Sequence, residues 1–350
     1  MPVPFEKLGD YVDFQRLEAW MDSLGLGNGP IVDRDILSGG TQNILLRFVR
    51  DGRPYVLRRP PLNPYLNGSE TMRREARVLE ALAKTDVPHA RLIAACSSDD
   101  VLGSAFYLME PIEGFSPVRG LPPLHAQRPD IRHAMGLSLV DALASLRAVD
   151  PAAVGLSGFG KPEGYLARQI PRLVKQMESY STYEGWTGRT EFPDVEKIAR
   201  RLGDTMPAES RPGIVHGDFH MGNAMFSPTG ADVVAIVDWE LATTGDPSCD
   251  LGCLLATWAD PDGSHPGCIS ITPWDGFPTE ADILRRYEEK SGVRVDANWY
   301  VAFGSFRLGV LLEGTYARAQ AGKADMETGI WLHRTGINLM NRATARLRTN

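Results

Sequence analysis

Cysteine is scarce in this chain. There are four, Cys96, Cys249, Cys253 and Cys268, and no CxxC pair among them. That excludes a disulfide scaffold and a zinc ribbon, and it suits a reducing cytoplasm as the compartment. Cys249 and Cys253 lie one helical turn apart and read as core thiols in preference to metal ligands. Long apolar runs are also missing: no stretch reaches the roughly 18 residues of a membrane span, so no membrane partner is expected. The start, Met1-Pro2-Val3-Pro4-Phe5-Glu6, has no basic region followed by an apolar core, which argues against a signal peptide. Surplus positive charge is absent too. A formal net charge of -7 leaves no global basic field for nucleic acid or an anionic surface. No internal repeat or low-complexity tract occurs. What remains is an ordinary globular composition over 350 residues, enough for two lobes with separate cores.

The first third alternates strand signals with one strong helix. Asp13 to Leu24 reads as a short helix with Asp13 as N-cap, Phe14, Leu17, Trp20, Met21 and Leu24 on one face, and Gly25 as its stop. Strands are expected at 31–37, 43–49 and from Tyr55, with Asp51-Gly52 as a hairpin turn. A helix over 69–83 carries Met72, Ala76, Leu79 and Ala83 at helical spacing, and short strands follow at 91–95 and 105–109. After Glu110 the texture changes. Residues 111–130 are rich in Pro and Gly and read as a connector. Helices then dominate, at about 131–148, 163–181, 194–206, 279–291, 298–321 and 325–346, with short strands at 214–215, 224–226 and 233–237 between them. The order predicts an α+β protein of two lobes, a small β-rich one over 1–110 and a larger, mostly helical one over 111–350. The last long helix but one is apolar on more than one face, which suits a core and an oligomer interface equally.

The chemistry concentrates in Ile214-Val215-His216-Gly217-Asp218-Phe219-His220-Met221-Gly222-Asn223, followed by Val237-Asp238-Trp239-Glu240. An apolar strand leads into a polar turn in which Gly217 and Gly222 permit a tight path, and a second apolar strand delivers Asp238. Any one of these acids alone would be a turn-capping residue. As an ordered set they supply what phosphoryl transfer needs: a carboxylate for the acceptor hydroxyl and hard oxygen donors for Mg²⁺. Asp218 is the candidate base or hydroxyl-orienting group, and Asn223 and Asp238 are the candidate metal ligands. His216 and His220 are expected to brace the loop. Their spacing is that of a zinc pair, but Gly217 and the adjoining strand argue against the helix such a pair requires.

Asn five residues after Asp is the spacing of the kinase catalytic loop. With His-Gly-Asp-x-His-x-x-Asn at 216–223, Asp-Trp-Glu at 238–240, Gly245-Asp246-Pro247 and Asp250-Leu251, the chain resembles the aminoglycoside phosphotransferase and choline kinase-like family. The resemblance covers nearly the whole chain. It is nearest to the kinase domains associated with acyl-CoA dehydrogenases, through Tyr-Val-Leu-Arg-Arg-Pro-Pro at 55–61, Arg74-Glu75, Met109-Glu110, 158–165 and Gly314-Thr315-Tyr316-Ala317-Arg318. It implies a bilobal protein-kinase-like fold, ATP or another NTP with Mg²⁺ as cofactors, and a small-molecule hydroxyl as acceptor. It also implies that Asp250 anchors the catalytic loop; without it, Asp250 would be an ordinary N-cap for the helix from Leu251.

On the nucleotide side, Ser38-Gly39-Gly40-Thr41 lies between two strands, where free amides meet phosphate oxygens, although a plain hairpin reads equally well. Arg58 aligns with the strand lysine of kinases; Arg59 faces the other way, and a surface arginine is the alternative. Glu75 is placed to pair with Arg58, or else with solvent and Arg74 or Arg77. Residues 107–112 read as a hinge in which Met109, Glu110 and Ile112 offer backbone groups to adenine. Gly155 to Lys161 mimics a P-loop, but Pro162 stands where Ser or Thr must bind Mg²⁺, and no strand precedes it.

The resemblance implies a hydroxyacyl-CoA acceptor, and an aminoglycoside, another antibiotic or a sugar is the second reading. Cations at Arg307, Arg318, Lys323 and Arg334 would suit the ester; acids at Asp260, Asp262, Asp275, Glu280 and Asp282 would suit a polycation. A catalytically inactive nucleotide-binding module is the reading from another class. It would require a lost base or ligand, and Asp218, Asn223 and Asp238 are all present.

Overall fold

The computed structural model describes residues 12–37, 43–61, 67–208, 210–260, 264–267 and 269–348. The chain divides into two units, Met1–Glu113 and Gly114–Asn350.

The first unit is built on a five-stranded antiparallel sheet of β1 (Val32–Ile36), β2 (Ile44–Arg50), β3 (Arg53–Arg59), β4 (Leu92–Cys96) and β5 (Phe106–Met109), in the order β1-β2-β3-β5-β4. Asp51 (φ 51°) and Gly52 (φ 71°) make the β2–β3 turn, both left-handed as a two-residue hairpin of matching twist requires. Side-chain alternation then assigns the two faces. Leu46, Phe48, Tyr55, Leu57, Phe106 and Leu108 join Leu17 and Met21 of α1 (Phe14–Ser23) in one apolar cluster. Arg58 and Tyr107 turn to the other face, where they meet α2 (Gly68–Leu82). Asp13 caps α1 by accepting the Arg16 N–H at 3.1 Å.

The second unit is helical. Its helices are α3 (Pro123–Gln127), α4 (Pro129–Ala148), α5 (Tyr165–Ser179), α6 (Val195–Asp204), α7 (Ser248–Ala256), α8 (Glu280–Ser291), α9 (Ala297–Gln320) and α10 (Met326–Arg346). Two small antiparallel pairs interrupt them: β6 (Gly213–Val215) with β9 (Thr243–Gly245), and β7 (Ala224–Phe226) with β8 (Val233–Ile236). Helix α9 runs through the core, with Trp299, Phe303, Phe306 and Val310 fully buried. It meets α7 backbone to backbone: a Cβ built on Gly252 would stand 2.3 Å from the Tyr300 carbonyl, and one on Gly304 would stand 2.6 Å from the Gly252 carbonyl. Only glycine permits that approach. Among the described residues no helix is long and apolar enough to cross a membrane.

Three elements differ from the sequence expectation. The connector at 111–130 contains α3. Helix α7 is not among the helices expected from periodicity and enters only through the alternative reading of Asp250 as an N-cap, because all nine of its residues are buried and no polar face marks a period. Strand β9 has only three residues, and its β6 partner supplies the ladder that keeps it extended. The P-loop mimic is a run of turns, and Gly160 lies so close to β9 that a Cβ there would stand 2.4 Å from Thr243 Oγ1.

Candidate active site

Strand β6 ends at Val215 and the chain enters a loop whose backbone is held by one carboxylate. Asp250, in the first turn of α7 and 1% exposed, accepts the N–H of His216 at 2.6 Å and of Gly217 at 2.9 Å. It is a buried acceptor for two loop donors and not a cap for its own helix. Burial pushes its carboxyl up to about 7, against the pull of those two N–H groups and of Arg307. Gly217 has φ 87°, and a Cβ there would stand 2.6 Å from the Leu241 carbonyl, so this position requires glycine twice over.

The two histidines hold Asp218 from either side. His216 Nε2 donates to the Val237 carbonyl at 2.9 Å, and its Nδ1 accepts the Asp218 N–H at 3.2 Å. Those partners fix the neutral tautomer, in accord with the burial that lowers its pKa. Phe219 and Trp239 pack edgewise and tilted on its ring. His220 Nδ1 accepts the Gly222 N–H at 3.0 Å, which leaves a proton on Nε2, 3.4 Å from Asp218 Oδ2. Burial pulls the Asp218 carboxyl upward, but His220, then Arg307 and His216, outweigh it and hold it below the usual carboxylate range. The side chain keeps 29% exposure.

Asn223 spends its amide donors on Asp218, reaching the carbonyl at 2.9 Å and Oδ2 at 3.1 Å. Asn223 Oδ1 is then the atom left for a cation. Asp218 Oδ1 accepts no hydrogen bond from any described residue. The Val237 N–H donates to the Asn223 carbonyl at 2.9 Å, which sets Asp238 beside Asn223 at the end of the β7–β8 pair. Asp238 itself sits at φ 67°, turning the chain out of β8. An amide oxygen and a carboxylate fit a hard divalent cation.

In the first unit, Arg58 and Glu75 form a buried ion pair. Nη2 donates to Oε1 at 3.0 Å, while Nε lies 2.8 Å from Oε2 outside hydrogen-bond alignment. Tyr107 adds a donor the sequence reading missed, its hydroxyl bonding Glu75 Oε2 at 2.7 Å. It could have been found only from the register, which sets Arg58 opposite Tyr107. Arg59 turns away and donates from Nε to the Pro60 carbonyl at 3.2 Å. In the segment read as a hinge, Met109 closes β5 and is buried. The Glu110 N–H is already donated to the Arg91 carbonyl at 2.9 Å, so an adenine contact from Glu110 must use its carbonyl. Ile112 is half-buried just beyond it. Ser38, Gly39, Gly40 and Thr41 lie outside the described residues.

The charges considered for the acceptor are sorted by their partners. Asp260 pairs with Arg342, Asp275 with Arg132 and Glu280 with Arg346, while Asp282 pairs with Arg285 and caps α8 through Thr279. Asp262 lies outside the described residues. Arg318 donates to Thr315, Lys323 lies over the Tyr183 ring, and Arg334 is exposed on α10. Arg307 is the one whose charge acts on Asp218.

Comparison with known proteins gives the family and the fold. A model described as the phosphotransferase enzyme family matches residues 35–268. The chain is 32% identical, over 79% of its length, to acyl-CoA dehydrogenase family member 10 of Mus musculus, and it spans 25% of that protein. A solved structure from Ralstonia eutropha, provisionally described as an aminoglycoside phosphotransferase, is 31% identical, covers 95% of this chain and 99% of its own, and superposes with a TM-score of 0.77. A thermostable mutant of aminoglycoside phosphotransferase APH(4)-Ia, in ternary complex with AMP-PNP and hygromycin B, is 15% identical over 95% of this chain and 98% of its own, with a TM-score of 0.60; that likeness speaks to the fold alone. The architecture is the α+β, bilobal kinase-like fold, with a small antiparallel sheet and a larger helical part.

Proposed function

The chain belongs to the phosphotransferase enzyme family, whose members are small-molecule kinases, and from that premise we propose that it transfers the γ-phosphoryl group of ATP to the hydroxyl of a hydroxyacyl-CoA ester. The observation that carries the chemistry is Asp218. Its carboxylate is held ionised, Oδ2 is occupied by Asn223 and the His220 side, and Oδ1 is open. An acceptor hydroxyl donating to Oδ1 has its oxygen lone pair fixed in direction, and positioning supplies most of the catalysis in this class of reaction. As the new O–P bond forms, the bond from the γ-phosphorus to the bridging oxygen breaks and ADP leaves. Asp218 receives the hydroxyl proton and returns it to water. Its low pKa makes it an orienting group first and a proton acceptor late.

Asn223 Oδ1 and Asp238 are the proposed ligands of Mg²⁺, which when bound neutralises charge on the phosphate oxygens. Arg58, held in place by Glu75 and Tyr107, is the proposed phosphate contact. Ser38, Gly39, Gly40 and Thr41 would offer backbone amides to phosphate, and Met109, Glu110 and Ile112 backbone groups to adenine. His216, His220 and Asp250 position the loop.

The likeness to a family member named for acyl-CoA dehydrogenase supports the ester as acceptor. A polycationic antibiotic is less well served, since the described acids that would attract it are each tied to an arginine. The test is phosphotransfer from ATP and Mg²⁺ to a panel of hydroxyacyl-CoAs, aminoglycosides and sugars. Turnover is expected with the esters, and Asp218→Asn should lower kcat by about 10²- to 10⁴-fold while sparing ATP binding. Turnover confined to aminoglycosides would overturn the acceptor, and near wild-type activity in Asp218→Asn would overturn the role of that residue. Tight ATP binding with no turnover on any acceptor would mark an inactive module.

A further inference from the structure

Helix α9 is buried without interruption from Trp299 to Val310 except at one residue, Arg307. The single opening in that stretch therefore falls on a cation. Arg307 carries five N–H donors, yet it makes no hydrogen bond, and no ion pair within 4 Å, with any described residue. Burial works against its charge, but Cys253, Tyr165, Asp218 and Asp250 nearby outweigh it, so the cation is kept while its hydrogen-bond donors stay open to a ligand. The other cations considered for the acceptor are held by a threonine or a ring, or stand exposed on α10.

Its place is set by backbone contact. The face of α9 that carries Tyr300 and Gly304 also carries Arg307, three to seven residues on and so within about two turns. Tyr300 donates to Asp246 at 2.5 Å just before α7, and Gly304 lies directly on Gly252. Arg307 lies one turn beyond Gly304, and Asp250 two residues before Gly252, so the two residues stand on either side of that backbone crossing. The Arg307 charge reaches both Asp250 and Asp218, and lowers each carboxyl.

We propose that Arg307 binds a carboxyl-derived oxygen of the acceptor, a carboxylate or a thioester carbonyl a few carbons from the reacting hydroxyl, and thereby selects such acceptors over neutral alcohols and polycations. This rests on the reading that Asp218 orients the acceptor hydroxyl. The two residues then hold the acceptor at two points, the hydroxyl at Asp218 Oδ1 and the carbonyl or carboxylate oxygen at the guanidinium. A polycation would meet like charge at the second point.

The test compares wild type, Arg307→Gln and Arg307→Lys with a hydroxyacyl-CoA, the matching free hydroxy acid and a neutral alcohol of the same length. The readout is the ratio of kcat/KM for each carboxyl-bearing acceptor to that for the alcohol. A lost hydrogen bond to a charged group, about 1.5–3 kcal/mol, predicts that Arg307→Gln lowers this ratio by roughly 10- to 100-fold and that Arg307→Lys restores part of it. A ratio that falls for the free acid alone assigns a carboxylate; one that falls for the ester alone assigns the thioester carbonyl. An unchanged ratio overturns the proposal even if both rates drop, because a cation that merely tunes Asp218 slows every acceptor alike. Should Arg307→Gln fail to fold, the same ratio measured in Arg307→Lys decides. If wild type phosphorylates only aminoglycosides, the acceptor reading and this inference fall together; if it phosphorylates the ester with an unchanged ratio in the variant, only this inference falls.

Discussion

Replacing Asp250 with asparagine removes the acceptor on which the catalytic loop hangs, and its effect should depend on pH. Asp250 is 1% exposed and takes two backbone N–H groups. An asparagine offers one oxygen and turns an NH₂ toward the second donor. One buried N–H left unsatisfied costs about 1–3 kcal/mol, so Asp250→Asn should be destabilised by at least that much at neutral pH. The carboxyl is pushed up to about 7 by burial, whereas an unfolded aspartate titrates near 3.9. Between about pH 4 and 7 the unfolded chain has lost the proton and the folded chain has kept it. The unfolded state binds fewer protons there, so the contribution of Asp250 to stability is full below the unfolded pKa and is lost as pH rises through the folded one. At about 1.4 kcal/mol per unit over some three units, the loss is about 4 kcal/mol. The asparagine variant has no such slope. The stability gap between wild type and Asp250→Asn should therefore be largest at about pH 4 and below and shrink by about 4 kcal/mol by pH 8. Urea unfolding of both proteins at four pH values, followed by a probe in the second unit, measures it. A gap constant with pH would refute the reasoning and show that the two N–H donors and Arg307 keep the carboxylate ionised throughout.

Two further outcomes follow from contacts already described. Glu75→Gln leaves Arg58 without its buried counter-charge and should destabilise the first unit by about 3–5 kcal/mol, whereas Tyr107→Phe, which removes one donor to the same carboxylate, should cost about 1 kcal/mol; thermal unfolding that ranked them in reverse would contradict the geometry. Gly217→Ala drives a Cβ toward the Leu241 carbonyl at a left-handed φ, so phosphotransfer should fall at least tenfold with ATP affinity kept, and an active, equally stable alanine variant would mean that the loop is looser than described.

The legible part of the site was what spacing could carry. Asp218, Asn223 and Asp238 declare themselves because hard oxygen donors recur at fixed intervals around two short strands. Strand parity says only that Arg58 and Arg59 face opposite ways; the choice of Arg58 comes from its alignment with the strand lysine of kinases, and its pairing with Glu75 agrees with that choice. What could not be read depended on register and on helix contact. Tyr107 reaches Glu75 only because β5 sets it opposite Arg58. Helix α7 gave no amphipathic signal because nothing on it faces water. Arg307 was one of four cations that the sequence could not rank, since its nearness to Asp218 comes from how α9 lies on α7. The acids that looked available to a polycation are bound in ion pairs, some with arginines more than sixty residues away in sequence.

The crossing of Gly252 over Gly304 has a consequence for how the site ages under mutation. Most helix pairs are spaced by side chains, and their separation drifts as those side chains are exchanged. Here peptide rests on peptide, and there is no side-chain volume to trade. The interval between the carboxylate that carries the loop and the helix that bears Arg307 is thereby inherited from bond lengths. The rest of the core can be rewritten around the two helices without retuning the field at the reacting oxygen, provided neither glycine gains a methyl group.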